Sequence, residues 1–422
     1  MPSEIMFPPN ETALQRFLRY APIDTQSAED QANVPSTTKQ LDLANLLVDE
    51  LRALGAQDVR TSDSGIVYAT LPGNLPDDAH VPVIGFIAHL DTSPGVSGEH
   101  VNVIIHEDYR GGDIVLPRDS TVVITVKDNP SLAGLIGDDI ITADGTTLLG
   151  SDDKAGIAEI LTMVDILNRN RHLKRGTIAI AFTPDEEVYR GIQTFDIEGF
   201  GATLAYSVDG NGLGEINDET WSARLATVTL IGRNSHPGTA KGIMVNATYA
   251  LADFISRFPD DMRPETTEGR AGFMHPYRGV VDVEESSVSI ALRDFERAGL
   301  DAQERTVREM VAQTQARFPD VKIAIRVEDL YDNMRESLRE HPELVENAFE
   351  AARRAGIQPF VKPMRGGTDG AYLSAHGLPT PDVFTGGHNF HGKLEFNSRR
   401  GLESTAEMLV HLATIFAEDP HP

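Results

Sequence analysis

Long apolar runs that end in polar residues recur along the first half of the chain. VPVIGFIAHLD (81–91), GTIAIAFTPDEE (176–187) and TLAYSVDG (203–210) are each typical of a strand buried on both faces. KAGIAEILTMVDILNRN (154–170) has instead the spacing of an amphipathic helix. Strands that alternate with helices predict an α/β domain whose mostly parallel central sheet is flanked by helices. Ligands of such sheets bind beyond the carboxyl ends of the strands, so we expect the polar ends to converge in one crevice.

The pattern changes at about Trp221. Further along, the predicted elements are strands at 226–238, 286–296 and 321–330 and helices at 245–257 and 300–317. We interpret this stretch as a smaller, inserted α+β domain with a β-α-β-β-α-β order. A chain of 422 residues is also long enough for two domains. The predicted boundaries are 1–220 and 331–422 for the discontinuous α/β domain, and 221–330 for the insertion.

Composition narrows the classes of function. The formal net charge is −27, from 64 acidic and 37 basic residues, which disfavours binding to nucleic acid and to anionic membranes. The absence of cysteine excludes disulfides and thiolate sites, so a transition metal must be bound by His, Asp and Glu. The amino-terminal stretch lacks the pattern of a signal peptide, and no apolar run approaches the ~20 residues that cross a bilayer. We therefore expect a cytoplasmic protein.

Candidate metal ligands begin with His89 and Asp91. Residues two apart in an extended segment point the same way, so one can bind a metal while the other orients it. A simple surface pair is the alternative. Asp152 precedes the helix predicted at 154–170, where an anion is favoured. Its carboxylate can bridge two cations, or it can cap the helix.

Two more candidate sites follow buried strands. Glu186 and Glu187 are adjacent acids, an arrangement that is costly unless a cation or a shared proton relieves their repulsion. The alternative is a pair of solvated acids in a loop. Asp209 ends the next strand, and its alternative role is a turn with Gly210.

The last candidate is His391, in FTGGHNFHGKLEF (384–396), where His388 competes with it as a ligand. The surrounding residues do not decide which of the two histidines is the ligand. Together the candidates supply two histidines and three carboxylates as metal ligands, and two further acids that are not needed as ligands. This inventory fits a pair of cations, with zinc favoured, of the kind found in two-metal hydrolases.

Several motifs, spread over almost the whole chain, resemble those of the peptidase T family, the tripeptide aminopeptidases within the co-catalytic dizinc metallopeptidases. They are DTQSAEDQANVPST (24–37), GFIAHLDTSPGVSG (85–98), DYRGGDI (108–114), TTLLGSDDKAGIAEI (146–160), AFTPDEEV (181–188), HPGTAKGIMVNA (236–247), RDF (293–295), MRGGTDGAYLS (364–374) and FTGGHNFHGKLEF (384–396).

The resemblance implies two zinc ions per subunit and a set of ligands. His89 and Asp209 are implied as ligands of one zinc. Glu187 and His391 are implied as ligands of the other. Asp152 is implied to bridge both. The inserted domain is implied to act in covering the site or in dimerisation.

The resemblance also implies catalytic and dimer roles. Glu186 resembles the general base, and Asp91 resembles the acid that orients His89. His236 resembles a lid-domain histidine that reaches the active site of a second subunit, which implies a homodimer.

The implied substrate is a tripeptide, from which the N-terminal residue is released. Arg293 resembles the residue that binds the terminal carboxylate, and Asn246 and Arg365 are further predicted substrate contacts. The chain departs from the family at Tyr189-Arg190, where Gly-Lys is usual, and at 388–390, where Tyr-Asn-Tyr is usual. These departures affect the rim of the site and remove no ligand. The alternatives are a related zinc hydrolase, namely an N-acyl amino acid deacylase or carboxypeptidase, and a non-catalytic binding protein on the same fold.

Overall fold

The computed structural model describes residues 10–29, 31–76 and 79–418. The described chain divides into two compact units. The larger unit comprises the described residues within Met1–Asp218, Glu336–Lys362 and Thr368–Pro422, and the smaller comprises Glu219–Arg335 and Pro363–Gly367. The short segment Pro363–Gly367 falls within the range predicted for the larger domain, yet it packs with the smaller unit.

The described residues form seventeen strands and ten α-helices. The strands are β1 (Gln57–Thr61), β2 (Val67–Leu71), β3 (Ile84–His89), β4 (Ile104–His106), β5 (Ile114–Val115), β6 (Val123–Ile124), β7 (Ile140–Thr142), β8 (Ile178–Thr183), β9 (Leu204–Gly210), β10 (Glu215–Asn217), β11 (Ser222–Ile231), β12 (Phe273–Val280), β13 (Glu285–Asp294), β14 (Lys322–Tyr331), β15 (Phe360–Val361), β16 (Asp382–Phe384) and β17 (Phe396–Ser398). The α-helices are α1 (Ala13–Tyr20), α2 (Gln40–Ala53), α3 (Ser151–Arg169), α4 (Ile197–Phe200), α5 (Ala247–Ile255), α6 (Arg297–Arg317), α7 (Arg335–Leu338), α8 (Pro342–Arg354), α9 (Asp369–Ala375) and α10 (Arg399–Glu418).

The larger unit is built on an eight-stranded sheet with the order β1-β2-β8-β3-β9-β16-β10-β15. Its centre, β8-β3-β9-β16, is parallel throughout, whereas β2 joins β8 and β10 joins β16 antiparallel. Side chains of β3 alternate between the two faces of the sheet. Phe86 stacks on Tyr206 on one face, and Ile87 packs into the cluster that contains Phe200 and Leu373 on the other. Because both faces are covered, the prediction of a mostly parallel, doubly buried sheet is confirmed.

Helix α3 is the inner helix of this unit. It packs against β3, β9, α1 and α10, and its side chains from Ser151 to Leu167 are all buried. A helix that is surrounded in this way holds its first turn rigidly against the carboxyl ends of the strands. A three-stranded sheet, β17-β7-β4, and a hairpin of β5 and β6 complete the unit.

The smaller unit has the predicted β-α-β-β-α-β order. Its antiparallel sheet runs β12-β13-β11-β14, and α5 and α6 pack on it around a core that includes Val228, Phe254, Ile290 and Met310. Alternate residues of β13 are buried, as expected of a sheet with one face on the core. In neither unit do the described residues form a helix that is long and apolar enough to span a bilayer.

Candidate metal centre

Four neighbouring parallel strands bring most of the predicted ligands to one edge of the large sheet. His89 is the last residue of β3, and Asp209 lies next to the end of β9. Glu186 and Glu187 begin a short 3-10 helix after β8, and His391 lies in the loop after β16. Carboxyl ends of adjacent parallel strands meet at the same edge, so the predicted convergence is confirmed.

Asp152 stands between two histidines that are far apart in sequence. Its Oδ1 lies 2.8 Å from His89 Nε2, and its Oδ2 lies 3.0 Å from His391 Nε2. His89 Nε2 is also 3.5 Å from Asp209 Oδ1, and His391 Nε2 is 2.9 Å from Glu187 Oε1. The side chains therefore form two sets, each with one imidazole and two carboxylates, and Asp152 belongs to both.

Asp153, and not Asp152, caps helix α3. Asp152 and Asp153 both have non-helical backbone angles at the start of α3. Asp153 Oδ1 accepts a hydrogen bond from Gly156 N (3.1 Å), which is the capping bond, and its Oδ2 accepts from His89 N (3.1 Å). With the cap supplied by Asp153, the carboxylate of Asp152 faces the two histidines.

Asp91 connects β3, which ends at His89, with the short helix after β8 that begins with Glu186 and Glu187. His89 Nδ1 donates to the backbone carbonyl of Asp91 (2.9 Å), while the Asp91 carboxylate lies farther away, with Oδ1 at 3.6 Å. That carboxylate instead accepts from Glu186 N (2.9 Å) and Glu187 N (3.3 Å). Asp91 thus orients the imidazole through its main chain and the glutamates through its side chain.

His388 and His391 differ in their packing. His388 stacks on Phe396 with ring centroids 4.6 Å apart, and burial lowers its pKa to about 4. His391 adopts a left-handed backbone with φ of 63°, a conformation that non-glycine residues rarely hold. This conformation places its imidazole beside Asp152 and Glu187.

Burial and mutual repulsion shift the pKa values of the acids in the cluster. Burial raises the pKa of Glu187 to about 7, with the charge of Asp152 acting in the same direction. Burial also raises the pKa of Asp209 to about 6, against the charge of His89, which lowers it. Burial, followed by the charge of Asp209 among other acids, raises the pKa of Glu186 well above its usual range. Burial opposes the ionised form of His391, but its hydrogen bond with Asp152 and the charge of Glu187 raise its pKa to about 11. Negative charge in the cluster thus exceeds what two imidazoles can neutralise.

The donor atoms form a candidate site for divalent cations. Ligand atoms of His89, Asp152 and Glu187 lie within 4.8 Å of one another, as do those of His89, Asp153 and Asp209. Glu187 Oε1 is buried, and His391 Nε2 lies 2.9 Å from it. Imidazole nitrogen and carboxylate oxygen are donors that zinc accepts. Cations would neutralise the excess charge.

Asp369 and Glu395 are among the buried acids near the cluster that the sequence did not single out. Asp369, at the start of α9, accepts from Thr183 Oγ1 (2.5 Å), and its charge contributes to the raised pKa of Glu186. Glu395 accepts three backbone hydrogen bonds from the segment before α3 and the first residues of α3. Asp369 lies in MRGGTDGAYLS (364–374) and Glu395 in FTGGHNFHGKLEF (384–396). The sequence shows only that one acid is next to glycines and that the other is close to His391. That signal does not separate a buried acid from a solvated one.

The predicted substrate contacts all lie in the smaller unit. His236 is exposed, and its Nδ1 accepts from Gly238 N (3.1 Å). Asn246 caps α5 by accepting from Thr248 N (2.9 Å). Neither contact occupies the whole polar side chain, and their roles toward substrate stay predictions.

The two predicted arginines are held by carbonyl groups of their own unit. Arg293 Nη1 donates to the carbonyls of Leu292 (2.9 Å) and Arg224 (3.2 Å). Arg365, on the segment Pro363–Gly367, lies over the Trp221 ring and donates to three backbone carbonyls, those of Thr267, Gly269 and Ala271. These bonds give Arg365 a structural role within the unit, and its contact with substrate stays a prediction.

A family comparison accounts for this arrangement. Residues 143–415 match the model of peptidase family M20/M25/M40. The chain belongs to this peptidase family. That stretch contains four of the five predicted ligands and both glutamates. Peptidase activity implies a peptide substrate.

Curated relatives within the family extend the match over nearly the full chain. A protein named Peptidase T from Geobacillus kaustophilus is 44% identical over 405 residues, which are 96% of this chain and 98% of that protein. A Peptidase T from Clostridium botulinum strain Langeland is 44% identical over 404 residues, again 96% and 98%. The predictions of resemblance to peptidase T and of a metallo-aminopeptidase are thereby confirmed.

Solved structures confirm the fold. Aminopeptidase PepT from Bacillus cereus superposes with a TM-score of 0.73 at 22% identity, over 96% of this chain and 98% of that one. A Staphylococcus aureus tripeptidase gives 0.74 at 21% identity, over 97% and 98%. A Bacillus subtilis protein described as a dinuclear metal-binding peptidase of family M20 gives 0.62 at 15% identity, over 96% and 99%.

The raised pKa values predict how pH affects the metal-free protein. Glu187 and Asp209 have folded-state pKa values of about 7 and about 6, above the ~4.3 and ~3.9 of unfolded chains. The stability that they contribute is therefore present below pH ~4 and lost as pH rises to about 7. His391, with a pKa of about 11 against ~6.5 unfolded, adds a loss of the same sign above pH ~6.5.

We expect the chelator-treated protein to melt at least ~3 °C lower at pH 8 than at pH 5.5, the shift that corresponds to ~2 kcal/mol in a unit of about 300 residues. Calorimetry with and without zinc measures it. Zinc should stabilise the protein most at pH 8, because binding displaces protons. Equal melting temperatures of the metal-free protein at both pH values would contradict the buried excess charge.

The two histidines of the loop after β16 provide a matched pair of substitutions. We expect His391→Ala to weaken the binding of one of two metal ions by at least ~100-fold, because it removes a ligand rather than an outer partner. His388→Ala should leave the metal stoichiometry unchanged, since its imidazole packs on Phe396. Atomic emission analysis after dialysis against a weak chelator distinguishes them, and equal metal loss in both variants would refute the assignment of His391.

Proposed function

We propose that the chain is a dizinc aminopeptidase that releases the N-terminal residue from tripeptides. The observation that carries the proposal is the pair of imidazole–carboxylate sets that share Asp152. The 44% identity to proteins named Peptidase T supports the substrate class. In this proposal His89 and Asp209 bind one zinc, His391 and Glu187 bind the other, and Asp152 bridges them.

Glu186 is the proposed general base. Zinc, when bound, supplies a Lewis acid that lowers the pKa of a coordinated water. The buried Glu186 carboxylate takes the proton from the attacking water and delivers it to the amine that departs from the cleaved bond. Its backbone N–H donates to Asp91 Oδ1 (2.9 Å), which fixes the start of the short helix that carries it. Asp91, in turn, holds His89.

The smaller unit supplies the proposed substrate contacts. The exposed imidazole of His236 is proposed to reach the active site of a second subunit in a homodimer and to donate to the carbonyl oxygen under attack. Arg293 is proposed to bind the terminal carboxylate, which a guanidinium recognises with two parallel hydrogen bonds. Asn246 and Arg365 are proposed as further contacts. A chain without cysteine is consistent with the proposed cytoplasmic location.

The alternative is a zinc hydrolase with the same metal centre, an N-acyl amino acid deacylase or a carboxypeptidase. A panel of tripeptides, dipeptides, tripeptide amides and N-acetyl amino acids separates these activities when the products are identified by mass spectrometry. The aminopeptidase yields a free N-terminal amino acid and a dipeptide, and a chelator abolishes the reaction. Release of the C-terminal residue, or turnover of N-acetyl amino acids alone, would overturn the proposal.

Substitutions of the adjacent Glu186 and Glu187 compare the proposed general base with a proposed metal ligand. We expect Glu186→Gln to lower kcat by ~10²- to 10⁴-fold while two zinc ions remain bound, because the amide cannot accept the proton. Glu187→Gln should lower activity and also weaken the binding of one ion. Metal content and kinetics are measured on the same preparations. A Glu186→Gln variant that loses metal, or keeps native kcat, would contradict the role of base.

Arg293 can be tested by comparing free and amidated tripeptides. We expect Arg293→Ala to raise KM for free tripeptides by about 10- to 100-fold, the loss expected for a hydrogen bond between charged groups, and to relax the preference for three residues. Arg326→Ala is the control, because this exposed arginine of β14 pairs only with Glu328 among the hydrogen bonds described. Unchanged kinetics of Arg293→Ala on both substrates would refute the contact.

A further inference from the structure

Glu395 is a buried carboxylate, 1% exposed, that binds the backbone at the start of α3. Its Oε2 accepts from Leu149 N (2.7 Å) and Gly150 N (2.9 Å), and its Oε1 accepts from Asp152 N (3.0 Å). N–H groups at a helix start have no partner within the helix, and an anion there is favoured. The side chain thus fixes the backbone of Asp152 itself.

Glu395 also belongs to the loop that presents His391. His388 and Phe396 exchange two backbone hydrogen bonds, 2.8 and 3.0 Å long, which close this loop at its base. Glu395 precedes Phe396 at that base, and its N–H donates to the carbonyl of Gly392 (3.2 Å). One side chain therefore joins the loop of His391 to the segment of Asp152, 243 residues earlier.

The two halves of the metal centre are supported differently. His89 and Asp209 lie on β3 and β9, whose backbones pair within the large sheet. His391 lies in a loop, and half of its side chain is exposed. The distance between His391 and Asp152 therefore depends on how the loop is attached.

We propose that Glu395 is a positioning residue that sets the distance between His391 and Asp152, and thereby the affinity of that half of the centre for a divalent cation. The inference rests on the proposed metal centre. Outer groups that orient ligands change metal affinity by ~10- to 100-fold when they are replaced. A glutamine at this position would turn an NH₂ group toward at least one of the three backbone donors, since an amide has a single acceptor oxygen.

The test is Glu395→Gln in the full chain, with Glu159→Gln as the matched control. Glu159 is equally buried on α3, but in the described part of the chain neither of its carboxylate oxygens has a hydrogen-bond partner. Zinc affinities are measured by competition with a chromogenic chelator, and the Co²⁺-substituted proteins are compared by visible absorption. We expect Glu395→Gln to weaken one of the two ions by ~10- to 100-fold and to change the Co²⁺ spectrum of that site. The other ion, and both ions in Glu159→Gln, should stay within about twofold of native.

Glu395→Asp is the second variant, for use if the glutamine variant does not fold. It keeps the charge and shortens the reach by one methylene, so it should show the same selective loss. Native affinities for both ions in Glu395→Gln or Glu395→Asp, or equal losses at both sites, would overturn the inference. The metal-affinity measurements contain no peptide, so they test this inference independently of the activity. If the native protein binds two ions but leaves tripeptides intact, the proposed function is refuted and this inference still stands.

Discussion

The candidate centre depends on one carboxylate that faces two imidazoles. Asp152 reaches His89 with one oxygen and His391 with the other, so it contributes a carboxylate to both halves of the centre. This placement requires that Asp152 be spared from capping α3, and Asp153 performs that task instead. The irregular first residues of α3 are the local backbone that makes both roles compatible. A rigid, fully surrounded helix then transmits this geometry to the rest of the larger unit.

The second constraint is the accumulation of negative charge at one edge of the sheet. Parallel strands place their carboxyl ends side by side, and here acids lie at or just beyond the ends of β8, β3 and β9. Folding buries these acids together, which raises the pKa of Glu186, Glu187 and Asp209. Such a concentration opposes folding unless cations offset it, so the fold and the proposed metal chemistry support each other.

Much of the fold follows from the sequence because buried strands and helices leave strong periodic patterns. The order of elements in the smaller unit and the convergence of strand ends are examples. The details that failed to follow are those decided by distant packing. Nothing in the local sequence shows that Asp153 rather than Asp152 caps α3, that His388 stacks on Phe396, or that Pro363–Gly367 joins the smaller unit. Glu395 was missed for the same reason, since its partners lie over 240 residues away.

The large separation in sequence of the two histidines has a consequence for biosynthesis. His89 and His391 bracket some 300 residues, and between them the chain must complete the parallel centre of the sheet and the whole smaller unit. No early portion of a nascent polypeptide contains both halves of the centre. If the centre binds two ions as proposed, the second is captured late, and a protein with both ions bound has completed translation and long-range assembly as far as the loop after β16.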